Sequence, residues 1–259
     1  VCSSDLTGAS AVQIIPRVGL AAKQLYVFQR TPSAIDIRDD VPTDPKWAAG
    51  LKPGWQTERL LRHMKGPELT EQQKRDLAAL PREEKIRRQE NQNIDHQMRI
   101  HRRVDEIVKD KATAEALKPW YMHRCKRPTY DDEYLPAFNL PSVKLVDTRG
   151  KGITEIGETG PIFEGREYPV DLLILATGFE TQKYVSVIDV AGRGGLPIRE
   201  AWKDGPEAYF GVTTSGFPNL FMLYGPNTNG GNSIILMLEF QVDFALRLIA
   251  EAERAGVDW

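Results

Sequence analysis

Cysteine is nearly absent from this chain: Cys2 and Cys125 are the only two among 259 residues. Two are too few for a disulfide framework, so a reducing compartment is expected. They form no C-x-x-C pair, which weighs against a dithiol–disulfide reductase. A surplus of either charge is missing as well. Lys and Arg total 34 against 36 Asp and Glu, a net charge of -2. That balance leaves no electrostatic footprint for nucleic acid or an anionic membrane. His63, His96, His101 and His123 lie at no metal-ligand spacing from cysteines or carboxylates, and no catalytic role falls to them. Long uncharged apolar runs are lacking too. The longest apolar stretch, "SIILMLEFQVDFALRLIA", is interrupted by Glu239, Asp243 and Arg247, which make one polar stripe on an amphipathic helix. No basic segment precedes an apolar core at the N-terminus, so no signal peptide is expected. These absences leave a soluble, cytoplasmic α/β protein as the expectation.

What is present begins with "LTGASA", Leu6 to Ala11. The dinucleotide fingerprint G-x-G-x-x-G/A has two of its three small positions filled, by Gly8 and Ala11. Gly8 lets the backbone approach a pyrophosphate and Ala11 lets a helix pack closely on a strand. The free N–H groups at this helix start, across Gly8, Ala9, Ser10 and Ala11, suit a diphosphate. The helix itself is expected in "ASAVQIIPRVGLAA", with Val12, Ile15 and Val18 or Gly19 on one face. "QLYVFQ" follows as a buried strand, and "RTPSAIDIRDDVPTDP" as an exit loop or linker. The residue ending the second strand of such a fold reads the adenosine ribose, and Arg30 stands nineteen positions beyond Ala11. An acid there would favour NAD. Arg30 and Thr31 instead offer a guanidinium and a hydroxyl, suited to the 2′-phosphate of NADP.

Between Trp47 and Trp120 helix formers and charge dominate. Thr70 with Gln73 makes a capping box before "EQQKRDLAAL", and the Gly66–Pro67 pair ends the preceding helix. From Arg82 to Glu106 there are seven Lys or Arg against six Asp or Glu, so this helix presents a solvated face rather than a nucleic-acid arm. Further on, "VKLVDT", "ITEI" and "PIFEGREYPV" suggest a small antiparallel meander. "DLLILATGF" fits a strand buried on both faces, and "GFPNLFMLYGPN" a further buried strand. Lys126 and Arg127 are adjacent cations that an extended segment would point to opposite sides. Cys125 beside them is expected to be a small packed residue. "GPNTNGGNS" before the last helix would aim backbone N–H groups at an anion or a flavin carbonyl, with Ser233 as a cap.

The blocks "GAS-x-VQIIP", "LYVFQRTPS", "LKPWY-x-x-x-CKRP-x-x-DDEYLPAFN", "VKLVDT", "D-LLILATGFE" and "FPNLFMLYGPNTN" occur in this order. Together they resemble the C-terminal portion of class B flavoprotein monooxygenases, closest to the Baeyer–Villiger type, from Thr7 to the C-terminus. The resemblance implies an enzyme using FAD and NADPH that forms a peroxyflavin from O2 and inserts one oxygen atom into a ketone or other organic substrate. The balanced charge and interrupted apolar runs lead to the expectation of no nucleic-acid or membrane partner. By the resemblance, Arg30, Thr31 and Lys126 would hold the 2′-phosphate, and Arg127 matches the active-site arginine. A fixed cation in a water-poor site stabilises a peroxide anion or a ketone oxyanion, and arginine does not surrender its proton. Asp171 with Ala176, Thr177 and Gly178 matches the junction from the NADP domain back to the FAD domain; Asn227 and Thr228 fall in the flavin-side loop.

The expected fold class is therefore α/β: a Rossmann-like NADP-binding domain (1–40 and 120–175) with a helical insertion (41–119), followed by the C-terminal part of an FAD-binding domain (176–259). Two features the resemblance requires are missing: an N-terminal FAD-binding strand–loop–helix and an F-x-G-x-x-x-H-x-x-x-W fingerprint ahead of the NADP loop. Val1–Leu6 matches the in-frame translation of a common sequencing-adapter sequence, so these residues are expected to replace the native first strand and glycine. The chain is thus expected to be a fragment without catalysis of its own. An N- or S-oxygenating flavin monooxygenase and a non-enzymatic NADP-binding module are the alternatives.

Overall fold

Small and β-branched residues set the first element. Helix α1 (Ala9–Ala21) turns Ala11, Val12, Ile15, Pro16 and Gly19 inward. Pro16 has no N–H to give the preceding turn, yet its ring joins the buried face. The computed structural model describes residues 8–65, 69–122, 125–126, 128–178, 184–185, 188–228 and 233–256, with the side chains of 63–65 outside the description. After α1 come strands β1 (Leu25–Gln29) and β2 (Ile35–Asp36), then helices α2 (Pro45–Ala49), α3 (Trp55–Lys65), α4 (Glu71–Ala79), α5 (Arg82–Ile107) and α6 (Lys111–Leu117). The short β3 (Thr129–Tyr130) and α7 (Tyr134–Ala137) precede β4 (Val143–Asp147), β5 (Glu155–Ile156), β6 (Pro161–Phe163) and β7 (Arg166–Glu167). Helices α8 (Ile198–Ala201) and α9 (Ile234–Ala255) complete the series. The fold is mixed α/β, and no helix among the described residues is long and apolar enough to cross a membrane.

Two compact units result. The first takes residues up to 42 and 71–179; the second takes 43–70 and 180–259. In the first unit β1 pairs in parallel with β4, Leu25 opposite Val143 through Gln29 opposite Asp147. Helix α1 covers one face of this pair. Its Gly19 comes so near the sheet that an added Cβ would meet Val143 Cγ2 at 2.7 Å. The core joins Val12, Leu25, Val27, Tyr134, Leu135 and Val143 with Val104 and Leu117 from α5 and α6. Helix α5 is solvated over most of its length, as its balanced charge predicts, and sinks Ile100 and Val104 into the unit near its C-terminal end. Helix α4 starts at Glu71, directly after Thr70, and α3 stops at Lys65; Gly66 and Pro67 lie outside the described residues.

Three segments depart from the sequence pattern. "VKLVD" is not part of the meander: β4 joins β1 in parallel, and the antiparallel sheet is β5–β6–β7 alone. The run Asp171–Gly178 is no strand, and Leu172 and Leu175 are 60% and 64% exposed. A strand is defined by its ladder of paired N–H and C=O groups, and among the described residues no segment pairs with this run. β1 gives one edge to β4, and no strand occupies its other edge among the described residues. An apolar cleft lies there instead, lined by Ala11 and Ile15 of α1, Leu25 and Val27 of β1, and Ile174 and Ala176. "FPNLFMLY" likewise forms no strand; Phe217 and Met222 are buried, and the Met222 N–H donates to the Val212 carbonyl.

In the second unit α9 buries Leu236, Gln241 and Ala245. Its expected polar stripe is present, with Arg247 and Asp243 paired at 2.9 Å. Gly256 ends the helix in the left-handed conformation at φ 62°, with its N–H on the last turn's carbonyls.

Candidate dinucleotide site

The connection between α1 and β1 is three residues, Ala22 to Gln24, so the helix and the strand run in opposite directions. The start of α1 and the end of β1 therefore share one end of the first unit. At that end α1 begins on Gly8 in extended backbone, with no side-chain cap and no acid in its first turn. Ala9 and Ser10 are exposed and Ala11 is buried against the sheet. No side chain of the first turn itself sets a carboxylate against its N–H groups and the helix dipole, which suits an anion. Because β4 is parallel to β1, its outgoing turn arrives at the same end. Thr148 donates both its N–H and its hydroxyl to the Gln29 carbonyl at 2.8 Å, and the Gly150 N–H donates to the Arg30 carbonyl at 3.0 Å. Arg30 is thereby fixed through its backbone while its side chain stays exposed, and Thr31 beside it is half-buried.

Lys126 stands on a second chain segment, which Tyr121 links to the loop beyond Thr31. Its ammonium lies 5.4 Å from the centroid of the Tyr121 ring. The Tyr121 hydroxyl oxygen accepts the Ala34 N–H at 3.2 Å, three residues past Thr31. Thr129 donates its N–H and hydroxyl to the Ala34 carbonyl, where β2 and β3 pair in parallel. The segment carrying Lys126 and the loop leaving Arg30 and Thr31 are so tied together. Arg127, the expected catalytic cation, lies outside the described residues. Cys125 is exposed rather than packed, with no element of the described residues covering it.

Helix α5 clamps both segments. Gln97 Nε2 donates to the Pro119 carbonyl at 2.8 Å, and His101 Nε2 lies at the same distance from it. Arg99 pairs with the largely buried Asp36 carboxylate at 2.6 Å. Arg103 donates to the Asp131 carbonyl and to Asp132 Oδ1. Burial alone would raise the Asp132 carboxyl, but the N–H groups of Arg38 and Asp39 and the Arg103 guanidinium outweigh it and hold it below the ordinary range. Burial pushes the Tyr121 phenol above its ordinary value, so it stays neutral at working pH. Tyr121, Gln97, Arg99, His101 and Arg103 were not among the expected site residues. The signal for α5 is the spacing of Ile100 and Val104 with Val108 just past its end, which marks a docking stripe in an otherwise polar helix.

Ala176 packs against the core and shares the apolar cleft with Ala11. Thr177 and Gly178 are exposed, and Gly178 has φ 87°, a backbone that L side chains rarely adopt. Asn227 and Thr228 belong to the second unit. Together with Phe210, Met237, Phe240 and Phe244 they line a cavity of about 560 Å³. The Thr228 hydroxyl donates to the Gly225 carbonyl at 2.6 Å, and Asn227 is held at φ 67°. Gln241, buried in α9, accepts the Tyr224 N–H and donates to the Phe210 carbonyl. Side chains at Gly211 or Gly225 would collide: a Cβ would stand 2.1 Å from Thr228 Cγ2 in the first case and 2.4 Å from the Gly211 carbonyl oxygen in the second. Among the described residues no cluster of His, Cys, Asp or Glu is arranged to hold a metal ion.

No family model matches the chain. Individual relatives do. A Baeyer–Villiger monooxygenase, ATR8, from Stachybotrys chlorohalonatus is 41% identical over 86% of this chain and 39% of its own length. The solved polycyclic ketone monooxygenase of Thermothelomyces thermophila superposes with a TM-score of 0.80 at 34% identity, over 98% of this chain and 46% of its own. OTEMO in complex with FAD and NADP gives a TM-score of 0.81 at 26% identity, over 98% of this chain and 52% of its own. The chain spans about half the length of the proteins it matches, or less. Over most of its length it is a homologue of part of the Baeyer–Villiger monooxygenases.

Proposed function

We propose that this chain is the NADP-binding portion, with part of the flavin-binding portion, of an NADPH- and FAD-dependent monooxygenase that inserts one oxygen atom from O2 into a ketone. What supports the reading is that the start of α1, with no acid in its first turn, and the exit of β1 at Arg30 and Thr31 share one end of the first unit, while Tyr121 ties the segment of Lys126 to the loop beyond Thr31. The first-turn N–H groups, Arg30, Thr31 and Lys126 are all hydrogen-bond donors or cations, the chemistry a pyrophosphate and a 2′-phosphate require. In this reading residues 1–40 and 120–175 belong to the NADP domain, 41–119 to the helical insertion and 176–259 to the flavin side.

Each group has a physical task. The first-turn N–H groups at Gly8 to Ala11 orient the pyrophosphate along the α1 dipole. Arg30 offers a planar, permanently charged fork to phosphate oxygens, and Lys126 adds a point charge from the opposite chain segment. Ala176, Thr177 and Gly178 lead from the NADP side to the flavin side, with Gly178 allowing close backbone approach. Asn227 and Thr228 present polar groups beside a largely apolar cavity, a lining suited to a flavin ring. Arg127 supplies the fixed cation for negative charge that develops on the substrate oxygen. FAD, reduced by NADPH, supplies the activation of O2. Ketones and O2 are the co-substrates, with no nucleic-acid or membrane partner and a cytoplasmic location.

Two assays test this. NADPH fluorescence titrated with the purified chain should report binding that Arg30→Ala weakens at least tenfold. The longer protein that contains this chain should consume NADPH when given a cyclic ketone and release the corresponding lactone. No lactone from the ketone, together with N- or S-oxide from an amine or sulfide offered in its place, would overturn the ketone assignment.

A further inference from the structure

We propose that Tyr121 is a positioning residue that makes this site selective for a 2′-phosphate, an inference that rests on the reading of Arg30, Thr31 and Lys126 as the phosphate-binding group. Tyr121 touches both chain segments that carry those residues. Its hydroxyl oxygen accepts the Ala34 N–H at 3.2 Å, and its ring face lies 5.4 Å from the Lys126 ammonium. A lysine on an exposed turn has four rotatable bonds and much rotamer entropy to lose when it is ordered. Parking the ammonium over an aromatic face, within the roughly 6 Å reach of a cation–π contact, restricts that freedom before a ligand arrives.

The other half of Tyr121 acts on the facing loop. Thr31 precedes Pro32, which confines it to extended backbone, and the bond from Ala34 to Tyr121 anchors the far end of the same short loop. Tyr121 itself is held. Pro119, two residues earlier, has its carbonyl bonded by Gln97 and contacted by His101 from α5. The result is a clamp from α5 through Pro119 and Tyr121 to Ala34 on one side and Lys126 on the other. Burial keeps the phenol protonated, so no phenolate stands beside the incoming phosphate.

The test uses the whole 259-residue chain and two probes, adenosine 2′,5′-bisphosphate and 5′-AMP, titrated by calorimetry. Wild type is expected to prefer the bisphosphate, and Lys126→Ala to lose that preference. Tyr121→Leu should lower bisphosphate affinity by about two- to fivefold, the size of an exposed cation–π contact, and leave 5′-AMP affinity unchanged. Tyr121→Phe, which keeps the ring, should stay closer to wild type. If Lys126→Ala leaves the preference intact, or wild type shows none, the phosphate reading fails and the role of Tyr121 with it. If Lys126→Ala abolishes the preference while Tyr121→Leu does not alter it, or weakens both probes alike, only the inference about Tyr121 falls. A second readout is independent of the leucine variant's folding: the ε-methylene of Lys126 in lysine-labelled wild type and Tyr121→Phe should show an upfield ring-current shift in NMR spectra. Its absence in both overturns the proposal.

Discussion

Two apolar runs in the first unit have opposite fates. Leu25–Gln29 is a strand whose Leu25, Val27 and Phe28 are each 1% exposed. Leu172–Leu175 is at least as apolar, yet it forms no ladder and leaves both terminal leucines to solvent. The difference is in the neighbours, not in the composition. β1 has β4 as a parallel partner and α1 over its face. The later run pairs with no strand among the described residues: Ile174 lines the cleft beside β1, and Leu173 and Leu175 line another with Ile156 and Pro161. Hydrophobicity makes burial favourable, but only a partner that also satisfies the backbone makes it a strand.

The comparison is tested most severely by truncating one leucine from each run. Leu25→Ala should cost about 2–5 kcal/mol, the usual range for a buried leucine, whereas Leu175→Ala should stay within about 0.5 kcal/mol. Urea denaturation of both variants measures the gap, and equal losses would break the distinction. Crowding on the ordered side is probed next. Gly19→Ala places a methyl against Val143 and should destabilise by about 1–3 kcal/mol, visible as a lower urea midpoint.

A smaller effect of opposite sign is expected deeper in the same core. The Tyr134 hydroxyl is fully buried with no hydrogen-bond partner among the described residues. Tyr134→Phe removes a polar group that was desolvated without compensation, and should raise stability by about 1 kcal/mol. A loss on calorimetry would mean that the hydroxyl is satisfied after all. The smallest effect concerns Asp132, whose folded-state pKa is depressed. Its contribution is present above the unfolded carboxylate value and is lost as pH falls through the folded one. Asp132→Asn should therefore flatten the acid limb of a stability–pH profile and leave the alkaline limb alone.

Much of the ordered half was legible in the sequence. Val12, Ile15 and Val18 or Gly19 predict the buried face of α1, where Gly19 is the one buried; "QLYVFQ" predicts β1, and the distance from Ala11 to Arg30 puts a cation at the strand end. These are local patterns whose partners lie nearby in the chain. The parallel register of β4 with β1 was not legible, because it joins segments over a hundred residues apart and "VKLVDT" alternates equally well in an antiparallel meander. The clamp formed by Tyr121, Gln97 and His101 was hidden for a similar reason: its bonds end on the backbone of Ala34 and Pro119, which carries no sequence signature. The apolar run at Leu172–Leu175 carried a strand pattern that depends on partners the pattern itself does not supply.

We infer that the end of the first unit carrying the start of α1 and the exit of β1 selects a dinucleotide by its 2′-phosphate. Parallel titrations of NADP+ and NAD+ into the 259-residue chain, repeated at rising salt, test it most directly. The account predicts NADP+ tighter by at least about tenfold at low salt, with the ratio shrinking as screening weakens the contacts of Arg30 and Lys126 with the phosphate. Equal affinities for the two at every salt concentration would contradict it.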